Sequence, residues 1–314
     1  MLKFLYFKNL KYSKQSIKLI KKKFKLIEKN FPTKTIQEQI KDTVVLSAPL
    51  GFNFDETFLS KFKNLKVIVS NTTSIPHIDE EYCKNKKIYI SALHNDKTFL
   101  KNITPTAEHN LGLILAITRN LIPSYKSVLN YEWNRKNWGG KKMLSESTVG
   151  IVGMGRIGKI LKKYLIAIGC KVIFYDPNVK GGEKNLINMV KKIDILSINA
   201  SANKKNYKII NNKVLSKMKK NSYIINTARG ELLDTDALIK FMKNKKIAGA
   251  ALDTIEGEYD QINFKKNKKR IKLINYSKKN TNLIITPHIA GSTYDAWYKT
   301  EKRVINKTIN FLKL

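Results

Sequence analysis

The sequence predicts an α/β fold in two domains, on three observations. Short apolar runs alternate with lysine-rich helical stretches over the first hundred residues, the pattern of a parallel sheet covered by helices. The same alternation resumes at Thr148 and continues almost to the carboxyl terminus. Near the start of this second stretch, in the middle of the chain, lies a glycine triplet, Gly153, Gly155 and Gly158, with a complete domain's worth of chain before it. A length of 314 residues suits two domains, and 42% hydrophobic residues suffice for their cores.

Residues 3–7 read as a strand. Residues 13–29 have helical spacing, with Ile17, Leu19, Ile20, Phe24 and Ile27 behind a Ser13 cap. Residues 43–47, 65–70 and 87–91 read as strands, and residues 55–62 and 78–86 as helices. A long helix starts at Thr104-Pro105, threonine suiting the cap and proline the first helical position. Its residues Leu111, Leu113, Ile114, Leu115 and Ile117 nearly encircle it, which predicts burial between domains or subunits. Residues 123–147, with Trp133, Trp138 and Gly139-Gly140, read as an irregular arm. The second unit opens with a strand at Thr148. Its later strands are residues 172–175, 193–198, 222–225, 247–252 and 283–286. Residues 265–279 read as a flexible insertion, and residues 296–314 as a helix returning to the first domain.

Lys and Arg number 60 against 24 Asp and Glu, a net charge of +36. Such a surface can bind nucleic acid or an anionic membrane. Here, however, lysine is spread along the chain beside isoleucine and asparagine, as in Lys21-Lys-Lys23, Lys191-Lys192 and Lys219-Lys220. The charge therefore reads as a compositional habit, and no nucleic-acid partner is expected, although a positive field would steer an anionic substrate. The longest apolar stretch, near residues 111–117, is far short of the roughly 20 residues of a membrane span. The amino terminus is too interrupted by lysine for a signal peptide. Cys83 and Cys170 have neither metal nor redox spacing, so no metal is expected, and they fit reduced thiols in a cytoplasm. Cys170 opens an apolar strand and reads as core.

Chemistry starts at Thr148-Val-Gly-Ile-Val-Gly-Met-Gly-Arg-Ile-Gly158. A strand runs into Gly153, a helix starts after Gly155, and Asp176 ends the next strand eighteen residues beyond Gly158. That is the whole dinucleotide fingerprint: a tight turn, close backbone approach to pyrophosphate, tight helix packing and an acid for the ribose hydroxyls. The helix start at Arg156, Ile157 and Gly158 offers free amides and a positive dipole end to the phosphates. Asp176 should repel a 2′-phosphate and favour NAD over NADP, with nearby Lys180 pulling the other way.

Three further segments fall at strand ends, where open α/β sheets place their sites. Arg229, in Asn226-Thr-Ala-Arg-Gly, can hold a carboxylate through two parallel hydrogen bonds; read structurally, it is an ion-pair partner. Asp253 ends its strand, with Glu256 and Glu258 just beyond. His288 closes the final strand; read structurally, it is a satisfied histidine at a strand end. His77, His94 and His109 read as structural or surface groups. Trp297 either walls a pocket or packs in the core.

Together these segments resemble the D-isomer-specific 2-hydroxyacid dehydrogenases. The matching stretches are Thr106-Ala-Glu-His, Val149 to Gly158, Asn226-Thr-Ala-Arg-Gly, Ala250-Ala-Leu-Asp and Thr286-Pro-His-Ile-Ala-Gly, in the family's order and at family-like spacing. The resemblance implies a Rossmann-type NAD-binding domain, residues 102–289, inserted into a flavodoxin-like substrate domain, residues 1–101 and 290–314. It implies interconversion of a 2-oxo acid and a D-2-hydroxy acid by hydride transfer with NAD (NADH). Arg229 would bind the substrate carboxylate, His288 would be the acid/base, and Glu258 would hydrogen-bond His288 and favour its imidazolium. Thr227 and Asp253 would join the cofactor contacts, Asp253 at the nicotinamide carboxamide. Thr72, Thr73 and Ser74 would offer backbone amides to the carboxylate, in a cleft that closes by hinge motion. A homodimer built on the nucleotide domain is also implied, with the helix after Thr104 and the Trp133 arm as interface candidates.

The chain departs from the family's pattern in three places. The family commonly carries His-x-Pro where this chain has Asn199-Ala-Ser201, with Asn203 in place of a threonine, in a loop that flanks the cofactor. Ser74 stands where glycine is usual, and a positive φ there would strain a serine. The proline usual beside Glu258 is missing. These departures keep two alternatives open: a non-enzymatic NAD-sensing regulator, and a degenerate dehydrogenase that binds cofactor but turns over poorly.

Overall fold

A computed structural model describes residues 1–33, 38–259 and 265–314. They form two compact units, Met1–Ile103 with Ser292–Leu314, and Thr104–Gly291. In the first unit five parallel strands, β1 (Lys3–Phe7), β2 (Lys25–Lys29), β3 (Val45–Ser47), β4 (Val67–Val69) and β5 (Tyr89–Ser91), lie in the order β2-β1-β3-β4-β5. This is the flavodoxin-like order. Helices α1 (Lys14–Lys23), α2 (Glu56–Leu59) and α3 (Glu80–Asn85) lie between them, and α4 (Lys97–Leu100) follows β5. The period of two along β1 separates two cores. Leu5 and Phe7 face Phe54, Phe58 and Ile68; Phe4 and Tyr6 face Ile20, Phe24 and Val304.

The second unit begins with α5 (Pro105–Thr118) and α6 (Leu121–Leu129). Six parallel strands follow: β6 (Thr148–Val152), β7 (Lys171–Tyr175), β8 (Ile195–Ile198), β9 (Ser222–Asn226), β10 (Ile247–Leu252) and β11 (Leu283–Ile285). Their order is β11-β10-β9-β8-β6-β7, so the winding reverses at β6, where β7 lies on one side and β8 on the other. Between the strands run α7 (Arg156–Ala167), α8 (Leu186–Val190), α9 (Asn212–Lys217), α10 (Thr235–Lys243) and α11 (Lys268–Lys279). One face of the sheet packs on α5 and α7 through Ile114, Ile117, Leu161 and Leu165. The other packs on α8 to α11 through Met189, Leu215, Leu238 and Leu273. The last helix, α12 (Tyr294–Phe311), belongs to the first unit, where the Ser91 hydroxyl donates to the Val304 carbonyl at 2.7 Å.

Several expectations need correction. Ser13 does cap α1, accepting from the Ser16 amide at 3.2 Å, but the helix stops at Lys23 because Phe24 turns extended. Lys25–Lys29 then pairs in parallel with Lys3–Phe7, so the backbone partners offered by β1 override the helical spacing. The arm starts as a helix: Asn120 in the left-handed region ends α5, and Pro123 falls in the first turn of α6, where it is tolerated. Thr104 gives α5 no side-chain cap; its hydroxyl bonds Glu108 instead. The expected flexible insertion is mostly α11, capped by Asn267, with Leu273 and Tyr276 buried and its lysines outward. Ser74 has no positive φ, so it carries no left-handed strain. Trp297 is 40% exposed beside Tyr294, not core. No helix among the described residues is long and apolar enough to cross a membrane.

Candidate active site

The glycines have three separate physical roles. Gly153 takes φ +92°, and a Cβ there would lie 2.6 Å from the Ala200 backbone. At Gly158 a Cβ would lie 2.2 Å from the Gly153 carbonyl oxygen, so α7 can approach β6 this closely only through glycine. At Gly155 a Cβ would meet nothing within 4 Å. Its bareness serves no packing inside the protein and leaves backbone open to an outside group. Gly155 is the N-cap of α7, no side chain caps that end, and no acid stands in its first turn. The positive end of a twelve-residue helix therefore faces open space, which suits phosphate. Arg156 at that end is partly buried, which lowers its pKa from the ordinary arginine value.

Asp176 follows β7 directly. Its carboxylate accepts from the Met154 amide at 2.8 Å and the Asn178 amide at 2.9 Å, which ties the acid to the glycine loop. The residues fit a dinucleotide: an open glycine cradle, uncapped amides and an acid fixed beside them.

Arg229 lies three residues beyond β9. Asn226 shapes that turn, donating to the Arg229 carbonyl at 2.9 Å and accepting from the Ala228 amide at 3.0 Å. A Cβ on Gly230 would fall 2.0 Å from the Ile255 carbonyl carbon, so the arginine turn lies directly on the loop after β10. The guanidinium donates to the Ala228 carbonyl at 2.7 Å and makes no ion pair among the described residues. The structural reading of Arg229 as an ion-pair partner therefore has no acid to support it.

Beyond β10 the two candidate glutamates separate. Glu256 turns to Lys269, at 2.7 Å. Glu258, after the positive-φ turn at Gly257, reaches His288 with Oε1 2.7 Å from Nδ1. The Glu258 side chain is 11% exposed and the His288 side chain 32%. His288 itself takes φ 53°, an uncommon conformation for a side-chain-bearing residue. Its amide is held by the Asp253 and Thr286 carbonyls at 2.9 and 3.0 Å. With Nδ1 engaged, Nε2 is the ring nitrogen left without a partner among the described residues.

Asp253 has a structural task beside the cofactor contact expected of it. Its side chain is fully buried. The carboxylate is turned into the His288 loop, accepting from the Thr286 hydroxyl, the Ile289 amide at 2.9 Å and the Ala290 amide at 2.8 Å. Burial alone would raise its pKa; hydrogen bonds from His109, Thr286, Ala290 and Ile289 outweigh burial and hold it below the ordinary carboxylate range. The strained His288 turn is thus tied to the end of β10.

Two residues at this site have no role assigned from the sequence. His109, read as structural or surface, places Nε2 3.2 Å from the Thr286 hydroxyl and 3.5 Å from Asp253. No local pattern carries that information, because α5 meets the strand ends 177 residues further on. Tyr259 stands where the family's proline is missing. Its hydroxyl is 3.5 Å from His288 Nδ1, and burial, opposed by Arg229 and reinforced by Glu258, pushes its pKa up to about 12. His77 is structural, bonded to the Ala48 carbonyl at 3.1 Å. Thr72, Thr73 and Ser74 lie in the other unit. Their amides make no hydrogen bond among the described residues, and the Thr72 hydroxyl donates to the Ser74 carbonyl at 2.8 Å.

Known proteins resemble this chain in sequence and fold. A family model described as the NAD-binding domain of D-isomer-specific 2-hydroxyacid dehydrogenases matches residues 111–290. The chain is 32% identical over 289 residues to a glyoxylate reductase of Thermofilum pendens, covering 87% of this chain and 80% of that protein. Among solved structures it is similar to D-lactate dehydrogenase from Aquifex aeolicus complexed with NAD and lactic acid, at 27% identity and a TM-score of 0.80 over 100% of this chain and 94% of that one. It shares its fold with D-2-hydroxyisocaproate dehydrogenase, at 23% identity and a TM-score of 0.83 over 99% of this chain and 97% of that one.

Proposed function

The chain belongs to the D-isomer-specific 2-hydroxyacid dehydrogenases, and on that premise we propose that it reduces a small 2-oxo acid with His288 as the proton donor, Glu258 as its anchor and Arg229 as the carboxylate clamp. The observation that carries this reading is the 2.7 Å bond between Glu258 and His288 Nδ1, which leaves Nε2 available.

The chain is an NAD-dependent enzyme. Gly153, Gly155, Arg156, Ile157, Gly158 and Asp176 would hold the dinucleotide, with Thr227 on its nicotinamide side. When bound, NADH supplies hydride to the carbonyl carbon of the 2-oxo acid. The protein's own residues do the rest. The Arg229 fork holds the carboxylate through charge-assisted bonds and draws electron density from the adjacent carbonyl. His288 passes a proton from Nε2 to the carbonyl oxygen as that oxygen gains charge, giving the hydroxyl of the D-2-hydroxy acid. Glu258 fixes the ring and stabilises the imidazolium in the cycle. In the oxidative direction Nε2 takes the proton back. Asp253 supports the His288 loop, and on the resemblance it would also face the nicotinamide carboxamide. Thr72, Thr73 and Ser74 are assigned to the substrate on the resemblance, and their unbonded amides suit a carboxylate.

The same reading includes a homodimer and a cytoplasmic enzyme. Leu121, Tyr125, Leu129 and Trp133 are 51, 65, 59 and 88% exposed on α6 and the segment after it, an apolar surface that a second copy would cover. Cys83 and Cys170 are free and buried, consistent with a reducing compartment. The test is loss of reduced-nicotinamide absorbance across a panel of 2-oxo acids, from glyoxylate and pyruvate to larger and phosphorylated ones, with His288→Ala as control. Turnover that the variant abolishes supports the reading; NADH binding without turnover on any member of the panel overturns it.

A further inference from the structure

Four polar side chains inside the nucleotide-binding unit form one directed hydrogen-bond chain. Asn110 on α5 is wholly buried. Its Nδ2 donates to the Thr227 hydroxyl at 2.8 Å, and its Oδ1 accepts from the Ser197 hydroxyl at 3.1 Å. Ser197 in β8, equally buried, accepts in turn from Asn199 Nδ2 at 2.8 Å. The surrounding side chains, Ile114, Ile117, Ile151, Ile195 and Ile225, are apolar core. An apolar side chain at position 110 would suit those neighbours, so the polar chain is not explained by packing.

Each end of the chain keeps one unused hydrogen-bonding group. Thr227 accepts from Asn110, so its own hydroxyl hydrogen points elsewhere, and no acceptor for it exists among the described residues. Asn199 Oδ1 is buried with no donor. The two residues lie just past β9 and β8. Asn199 and Ala200 lie against the glycine loop, within 2.8 Å of where a Gly153 Cβ would be. Asp176, the ribose acid, lies past β7, on the far side of β6. The chain therefore serves the half of the dinucleotide beyond the pyrophosphate, the nicotinamide half. Asn199 also occupies the position where the family commonly carries histidine.

We propose that Asn110 is a positioning residue for the cofactor: through Thr227 on one side and Ser197 with Asn199 on the other, it sets the two strand-end loops that receive the nicotinamide half. It leaves a donor at one loop and an acceptor at the other, a pair matched to a carboxamide or a ribose hydroxyl, which both give and accept hydrogen bonds. The proposal rests on NAD binding alone and is independent of the acid–base roles of His288 and Glu258.

The test measures NADH and ADP-ribose binding by calorimetry for wild type, Asn110→Leu, Ser197→Ala, Thr227→Val, Thr227→Ser and the Asn110→Leu/Thr227→Val pair. Asn110→Leu and Thr227→Val should each weaken NADH roughly tenfold, equivalent to about 1.4 kcal/mol. Binding of ADP-ribose, which lacks nicotinamide, should be unchanged. Thr227→Ser should restore NADH affinity. The pair should be no weaker than its weaker member, because both changes remove one shared interaction. Ser197→Ala should weaken NADH in the same sense and keeps the test valid if Asn110→Leu does not fold. NADH affinity within about twofold of wild type in Asn110→Leu and Ser197→Ala overturns the proposal, and so does a parallel loss of ADP-ribose, which would make the chain purely structural. A wild-type protein that binds neither ligand overturns the cofactor reading itself, an outcome distinct from both.

Discussion

Glu258 holds His288 by its Nδ1 at 2.7 Å, across thirty residues of chain, from a side chain that is itself only 11% exposed. The bond selects which ring nitrogen can exchange a proton with substrate. Glu258→Gln keeps a hydrogen-bonding group of the same size but removes the charge that stabilises the imidazolium. General acid–base groups contribute about 10²- to 10⁴-fold. His288→Ala should lose that range in kcat, and Glu258→Gln about its lower end, with NADH affinity unchanged in both. Steady-state kinetics beside calorimetric binding checks this; a Glu258→Gln enzyme with wild-type kcat removes Glu258 from the mechanism.

Arg229 donates to the Ala228 carbonyl and has no acidic partner among the described residues. Arg229→Lys keeps the charge and loses the planar fork. One charge-assisted hydrogen bond is worth about 1.5–3 kcal/mol, so kcat/KM for the 2-oxo acid should fall by roughly one to two powers of ten. Thermal stability should stay near wild type, since no ion pair is broken. A drop in stability matched by unchanged kcat/KM would instead make the residue structural.

Much of this site is legible in the sequence alone, for a physical reason. Glycine, Asp176, Arg229, Glu258 and His288 are residue types whose chemistry survives in one dimension, and each follows a strand whose apolar run is visible. The roles of His109 and Asn110 are not legible, because their partners, Ser197 on β8 and Thr227, Asp253 and Thr286 just past β9, β10 and β11, are 87 to 177 residues away. Asp253 is visible, but its direction is not: three donors of the His288 loop decide where the carboxylate points. In the fold, the departures from expectation at residues 25–29 and 268–279 share one cause. Lysine-rich segments have weak periodicity, so strand pairing with β1 or a single asparagine cap decides their state.

Gly155 and Gly158 should fail in different ways. Gly155→Val adds atoms where nothing lies within 4 Å, so the protein should fold with near-normal Tm and lose NADH binding. Gly158→Ala puts a Cβ 2.2 Å from the Gly153 carbonyl oxygen, so folding itself should suffer, by a few kcal/mol as for other overpacked sites (about 1–3). Differential scanning calorimetry with and without NADH separates the two. Normal NADH affinity in Gly155→Val would mean that the cofactor does not approach this loop.

The exposed apolar side chains of α6 and the following segment should be covered in solution. Sedimentation equilibrium of wild type should give twice the 36.1 kDa chain mass. Leu129→Lys with Trp133→Glu, which places charge in the middle of that surface, should give the single-chain mass. A wild-type monomer at micromolar concentration would exclude this face as a stable interface.

Asp194 links pH to the stability of the nucleotide-binding unit. Its carboxylate accepts from the Thr148 amide at 2.9 Å and from Lys142 and Lys219 at 3.1 Å each, at the start of β6. Burial would raise its pKa, but these partners prevail and hold it below the ordinary carboxylate value. A group whose folded pKa is depressed contributes its stability above the unfolded pKa, about 3.9 for aspartate, and loses it as pH falls through the lower folded value. The two lysines are nearly half exposed and screened, so most of the contribution comes from the Thr148 amide. Asp194→Asn should therefore be less stable than wild type at neutral pH by about 1–3 kcal/mol. The gap should close as the pH is lowered beyond about 4. Urea titrations at several pH values measure it directly. A gap that persists unchanged into acid would place the loss in packing and not in the charge.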